Sequence, residues 1–174
     1  MKLTPFTDAD IDRLISWVSD EEQLMLWAGL TLRYPLTRDQ IEANLASAEA
    51  DPRRRKVWNA VVDGTVVGHI GLSNIWWEYD RKATVVRVMV DPDVRSKGLG
   101  RQMVTCVLAY AFGELDLHRV ELGVWEQNER AIRCYESCGF VREGVQREMR
   151  KWEDGWWNGV SMGILDREWR ERQG

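Results

Sequence analysis

The stretch from Ala83 to Gly139 is the part of this chain that fewest folds can accommodate. Ala83 to Val90 is a β-branched run stopped by Asp91-Pro92, and a loop holding Gly98 and Gly100 then opens a helical stretch, Gly100 to Phe112. Arg119 to Val124 reads as a strand, and Asn128 to Cys138 as a helix closed by Gly139. A strand–helix–strand connection must cross over, so the two strands run parallel in one sheet with the helix packed on its face. The fold class is α/β, or mixed α+β.

The flanking segments fill out the sheet. After a short extended start, Asp8-Ala9-Asp10-Ile11 opens a helix with Ile11, Leu14, Ile15 and Val18 at helical spacing. Thr37 reads as the N-cap of a second helix, Arg38 to about Ala50, ended by Pro52. Val57 to Val62 and Thr65 to Leu72 form a hairpin, because Asp63-Gly64 supplies the positive φ angles of a tight turn. Val141 to Lys151 and Trp157 to Leu165 flank a second turn at Asp154-Gly155. The order β-α-α-β-β-β-α-β-α-β-β, with no linker or repeat, predicts one domain over 1–174 with about seven strands and about four helices.

Composition narrows the function. A length of 174 residues with 44% hydrophobic residues supports one full core. No apolar run reaches the roughly 18 residues of a membrane span, and Met1 to Asp10 lacks the pattern of a signal peptide. A net charge of −4 argues against nucleic acid as a partner. The basic run Arg53-Arg54-Arg55-Lys56 reads as a solvated turn. Three cysteines without metal-ligand spacing point to reduced thiols and a cytoplasmic protein, with Cys134 and Cys138 as packing residues. Two histidines, His69 and His118, read as structural, so no metal site is expected. Ten tryptophans exceed what such a core absorbs, which implies an aromatic groove or an interface, a homodimer among the options.

Two motifs carry chemistry. The first is Val88-Met89-Val90 running into Arg95-Ser96-Lys97-Gly98-Leu99-Gly100-Arg101. Glycines let a ligand approach the backbone, and free N–H groups at a helix start attract an anion. Neither a Walker loop nor a dinucleotide fingerprint fits, since no Lys-Ser or Lys-Thr follows Gly100 and Met103 replaces a third glycine. The second motif sets Asn128, Ala131 and Tyr135 on one helix face.

Together the two motifs resemble the GNAT superfamily of acetyl-CoA-dependent acetyltransferases. Arg95 to Gly100 is similar to that family's Arg/Gln-x-x-Gly-x-Gly/Ala loop, and Asn128 to Phe140 to its Asn-x-x-Ala-x-x-x-Tyr-x-x-x-Gly-Phe helix. The nearest flavours are ribosomal-protein N-terminal and spermidine/spermine acetyltransferases. The resemblance implies a mixed sheet whose parallel strands 4 and 5 splay apart, and acetyl-CoA as cosubstrate without a metal. It implies that Val88, Met89 and Val90 grip the pantetheine arm and that Arg95, Ser96, Lys97, Gly98, Leu99, Gly100 and Arg101 hold the pyrophosphate. Asn128, Ala131 and Tyr135 would complete the cofactor face, with Tyr135 protonating the departing thiolate while a primary amine attacks directly.

The resemblance leaves the base open. Related chains carry Arg-Arg-Ala-Glu where this one has Arg81-Lys82-Ala83-Thr84, and Thr84 is no base. Glu78 or Asp80 is expected to act as base or to attract the amine, with Glu126 and Glu121 behind them. Trp76-Trp77-Glu78-Tyr79-Asp80 and Trp152 to Trp157 mix aromatics with carboxylates, a composition suited to ammonium groups. The acceptor is a protein N-terminus or a small amine such as a polyamine. A non-catalytic acyl-CoA-binding module and a nucleotide-binding regulator are the competing readings.

Overall fold

A computed structural model describes residues 1–49 and 51–174, so the expected helix end at Ala50 lies outside the described residues. Seven strands form one sheet in the order β1-β2-β3-β4-β5-β7-β6. β1 (Lys2–Pro5), β2 (Lys56–Val62), β3 (Thr65–Trp76) and β4 (Lys82–Val90) pair antiparallel in succession. β5 (Arg119–Trp125) runs parallel to β4, and β7 (Gly155–Leu165) joins it antiparallel to β6 (Val141–Trp152) at the edge. The Asp63-Gly64 turn has φ of 49° and 80°, as the hairpin requires. The last hairpin turns at Glu153-Asp154, one residue earlier than read, because Glu153 takes the positive φ and Gly155 enters the strand.

Among the described residues six α-helices accompany the sheet, against the about four expected: α1 (Ile11–Ser16), α2 (Glu21–Ala28), α3 (Arg38–Glu49), α4 (Leu99–Ala109), α5 (Glu129–Cys138) and α6 (Asp166–Glu171). α2 hid because its apolar residues, Leu24-Met25-Leu26-Trp27, are contiguous and show no helical period. Its start is nonetheless well made, with the Asp20 carboxylate accepting the Gln23 N–H at 2.7 Å. α6 is almost wholly charged, and its one aromatic, Trp169, packs against Phe112 at 6.1 Å between ring centroids.

Packing explains the rest. Met103, Val104, Val107 and Leu108 of α4 are fully buried, a stripe at helical spacing that faces the sheet. Each such side chain contributes roughly 1.5–3 kcal/mol on leaving water. A second cluster joins α1 (Ile11, Leu14), α2 (Leu24, Ala28) and α3 (Ile41) to Met89 of β4. The basic run is not all solvated: Arg53 and Arg54 pair with Asp51, but Arg55 turns inward to bond Asn44.

Two irregularities open the sheet. β4 and β5 pair only at Lys82↔Arg119, Ala83↔Val120 and Thr84↔Glu121, and beyond these the strands part. β4 also carries an extra residue between Val86 and Met89 relative to β3, with Arg87 at φ 57°. A bulge re-aims the side chains that follow it. Arg87 holds the left-handed conformation, which costs about 1–2 kcal/mol in a residue with a Cβ.

Candidate active site

The parted strands enclose a cleft of about 850 Å³. One wall is β4 from Thr84 to Val90, and the opposite wall is Gly123 to Trp125 of β5 with Val160 of β7. The glycine loop and α5 form one end, and Gln23, Trp27 and Gly29 from the α2 region also line the cleft. α2 packs on β4, and the Trp125 indole N–H donates to the Met25 carbonyl at 2.9 Å. A single short helix thereby bridges the two strands that the splay separates.

The loop is built for close backbone approach. Asp91 accepts the Asp93 N–H at 2.9 Å and ends β4, while Arg95 Nε donates to the Val90 carbonyl at 3.2 Å. Ser96 and Gly98 then take φ of 69° and 72°, which turns the chain into α4. Gly98 caps that helix, and a Cβ built on it meets nothing within 4 Å, so its outer side is open. Arg130 from α5 donates to Ser96 Oγ at 3.3 Å.

On α5, the Asn128 side chain caps the helix by accepting the Ala131 N–H at 3.2 Å. Tyr135 lines the cleft and packs edge-on against Phe140, 6.0 Å between ring centroids. Its burial, and then its neighbours Cys134 and Cys138, push the phenol well above its ordinary range, so it keeps its proton. The hydrogen bond between Cys134 and Cys138 pushes the Cys134 thiol up and pulls the Cys138 thiol down to about 7.

Of the residues singled out from sequence, Val88, Met89, Val90, Arg95, Ser96, Gly98, Leu99, Gly100, Arg101, Asn128, Ala131 and Tyr135 line this one cleft. Lys97 does not. Glu78 and Asp80 are not brought to it either: both are exposed on the loop before Lys82, at the opposite end of β4 from Val90, and Asp80 lies 4.0 Å from the Lys82 ammonium. Glu121 is occupied by Arg119 at 3.1 Å and Lys82 at 3.8 Å, and Glu126 accepts from Asn158 at 2.7 Å. Thr84 lines the cleft.

Among the described residues, the charged groups lining the cleft are Arg87, Arg95, Arg101, Arg130 and Arg133, with no carboxylate. The sequence reading missed Arg87, Gln23, Trp27, Gln146 and Met149. Arg87 was visible as one cation inside Val85-Val86-Arg87-Val88, a break in an otherwise apolar strand. The α2 residues gave no such signal.

A splayed parallel pair, a glycine loop at a helix start and a phenol on the next helix define a class of acyl-CoA-using folds. Residues 1–141 match the family model described as an acetyltransferase (GNAT) domain, and the chain belongs to that family. The spermidine N(1)-acetyltransferase of Vibrio cholerae is 33% identical over 79 residues, 45% of this chain and 44% of that one. The chain thus spans under half of that relative in the match. An aminoglycoside N(6')-acetyltransferase type 1 of Klebsiella pneumoniae is 26% identical over 80% of this chain and 73% of its own. The fold is shared with a Vibrio cholerae spermidine N-acetyltransferase solved with CoA and spermine, at TM-score 0.82 and 22% identity over 97% of both chains. A dodecameric structure of a spermidine N-acetyltransferase from that organism has a TM-score of 0.77 at 22% identity, covering 99% of this chain and 98% of that one.

Proposed function

We propose that this chain moves the acetyl group of acetyl-CoA to a primary amine by direct attack, with Tyr135 returning a proton to the leaving sulfur. The observation that carries this is the convergence of the anion loop, the open backbone of β4 and a buried, protonated phenol on one cleft. Arg95, Arg101 and the α4 start suit the pyrophosphate, since backbone N–H groups and guanidinium charge both favour an anion there. Val88 to Val90 present the unpaired strand edge to the pantetheine arm.

No carboxylate lines the cleft among the described residues, so the amine's proton passes to water rather than to Glu78 or Asp80. Arg87, a cleft cation outside the loop assigned to the pyrophosphate, lowers the pKa of a nearby ammonium, which raises the share of free amine at neutral pH. Its charge also disfavours a polycation, so a monoamine or an N-terminal amine suits this cleft better than a polyamine. A second copy of the chain covering the β6 edge is part of this reading, because β6 is exposed over nearly all of its length.

The test is CoA release across a panel of small amines, polyamines and N-terminal peptides. Release with at least one amine, at a rate that rises with pH in step with that amine's own pKa, is the expected result. CoA binding without release for any acceptor would leave an acyl-CoA-binding module of the same fold.

A further inference from the structure

Beside the cleft lies a small inner cavity of about 10 Å³, and Trp27 and Arg87 line both. Its remaining walls are mostly apolar, from Phe6, Leu14, Ile41, Leu45 and Val57, with Asn44, Arg55 and His69 set among them. Three buried nitrogens here have no hydrogen-bond partner: Trp27 Nε1, Arg55 Nε and His69 Nδ1. Arg55 spends its terminal nitrogens on the Asn44 carbonyl and amide oxygens, at 2.9 and 2.8 Å, which leaves Nε. Among the described residues no carboxylate lies within 4.0 Å of the Arg87 guanidinium, which sits 5.2 Å from the Trp27 ring centroid. Asp10, whose charge His69 feels, is already held by Thr7 and Arg13.

Buried polar groups are normally satisfied, so several orphans around one cavity ask for a missing partner. The indole nitrogen and Arg55 Nε are donors only, and His69 Nδ1 is a donor in one tautomer. What satisfies them is therefore an acceptor. The two guanidinium groups stand in each other's field: burial, then the charge of Arg55, hold Arg87 down to about 10. A water supplies hydrogen bonds without removing that repulsion, whereas an anion supplies both. The cavity admits about one oxygen-sized atom, so a larger group would have to reach it from the cleft past Trp27 and Arg87, which line both. A carboxylate on a tether has that shape.

We propose that Trp27, Arg55, His69 and Arg87 form a carboxylate site opening from the cleft, and that the acceptor amine carries the carboxylate they bind. This rests on the acetyl-transfer reading above. It narrows the acceptor to amines that also bear an acid group, and it excludes polyamines.

The experiment measures CoA release by the full-length enzyme with ω-amino acids from glycine to 6-aminohexanoate, each against its own amide at matched free-amine concentration. The acid should exceed its amide in kcat/KM by about tenfold or more at a preferred chain length, as a charged hydrogen bond lost on amidation implies. Arg87→Gln should bring that ratio close to one, and Arg87→Lys should keep part of it. Acids and amides used equally at every length would overturn the proposal, as would an acid preference unchanged in Arg87→Gln. A binding arm separates the two readings. Propionate, with CoA present, should raise the melting temperature of the wild type and not of Arg87→Gln. That shift without turnover of any amine would sink acetyl transfer and leave the site standing. Chloride matching propionate at equal concentration would make this a free-ion site and overturn the carboxylate assignment.

Discussion

Tyr135 and His69 show how burial, with neighbouring groups adding to it, keeps the proton on one titratable side chain and off another. Burial holds the Tyr135 proton on, and a phenol that never ionises in the working range is a dependable donor to a thiolate. Tyr135→Phe should lower kcat by roughly 10²-fold, or somewhat less where water substitutes, with CoA affinity by calorimetry nearly unchanged. An unaltered kcat with chemistry rate-limiting would reduce Tyr135 to packing against Phe140. Burial keeps the His69 proton off: desolvation, then the charges of Arg87 and Arg55, depress it to about 3. An unfolded histidine titrates near 6.5, so between pH 6.5 and about 3 the unfolded chain takes a proton that the folded chain refuses. Stability must then fall as pH falls through that window, by up to about 1.4 kcal/mol per pH unit from this residue. Melting curves of His69→Gln should show a shallower slope between pH 6.5 and 4 than the wild type; parallel slopes would mean His69 is protonated in the folded protein.

At the scale of elements, the loop that opens α4 depends on Gly98. Its φ of 72° suits glycine, and the open space beside it is cleft. Gly98→Val adds backbone strain and puts a branched side chain where the proposed pyrophosphate contact would meet the backbone. CoA affinity should drop about tenfold, read as a smaller melting shift at fixed CoA, with Gly98→Ala showing a lesser loss. Wild-type affinity in both variants would remove the loop from the site. This loop was legible in the sequence because its constraints are local: a strand stop at Asp91-Pro92, two glycines and a helix that follows. The face of α5 was legible for the same reason, since Asn128, Ala131 and Tyr135 lie within two turns. The side of the cleft nearest α2 was not. Trp27 and Gln23 sit on an unperiodic helix, and Gln146 and Met149 on a strand exposed on both faces, so only tertiary packing brings them to β4. Glu78 and Asp80 illustrate the converse, since acidity and proximity to β4 in sequence say nothing about which end of the strand faces the cleft.

At the scale of the whole molecule, β6 is an exposed edge of the sheet. β6 is twelve residues long and exposed on both faces from Val141 to Lys151, with Val141, Val145 and Met149 each at least 45% exposed and Trp156 of the partner strand at 57%. A long edge with Val141, Val145 and Met149 exposed invites another strand or sheet unless charge or curvature blunts it, and half of this strand is charged, at Arg142, Glu143, Arg147, Glu148, Arg150 and Lys151. Here a kink does part of that, since the register slips twice along the β6–β7 pairing and Glu148 takes a positive φ. The apolar residues remain exposed all the same, and a second copy would cover them. Gln146 and Met149 of the same strand line the cleft, so a copy seated on β6 would also help wall the acceptor side. Sedimentation at micromolar concentration should therefore show a dimer or larger species rather than a 20.3 kDa monomer. Val145→Lys places a charge on that edge without touching the cleft lining, and should shift the population toward monomer while raising KM for the acceptor more than for acetyl-CoA. A wild type that sediments as a monomer would leave β6 facing solvent and the cleft closed by this chain's own residues.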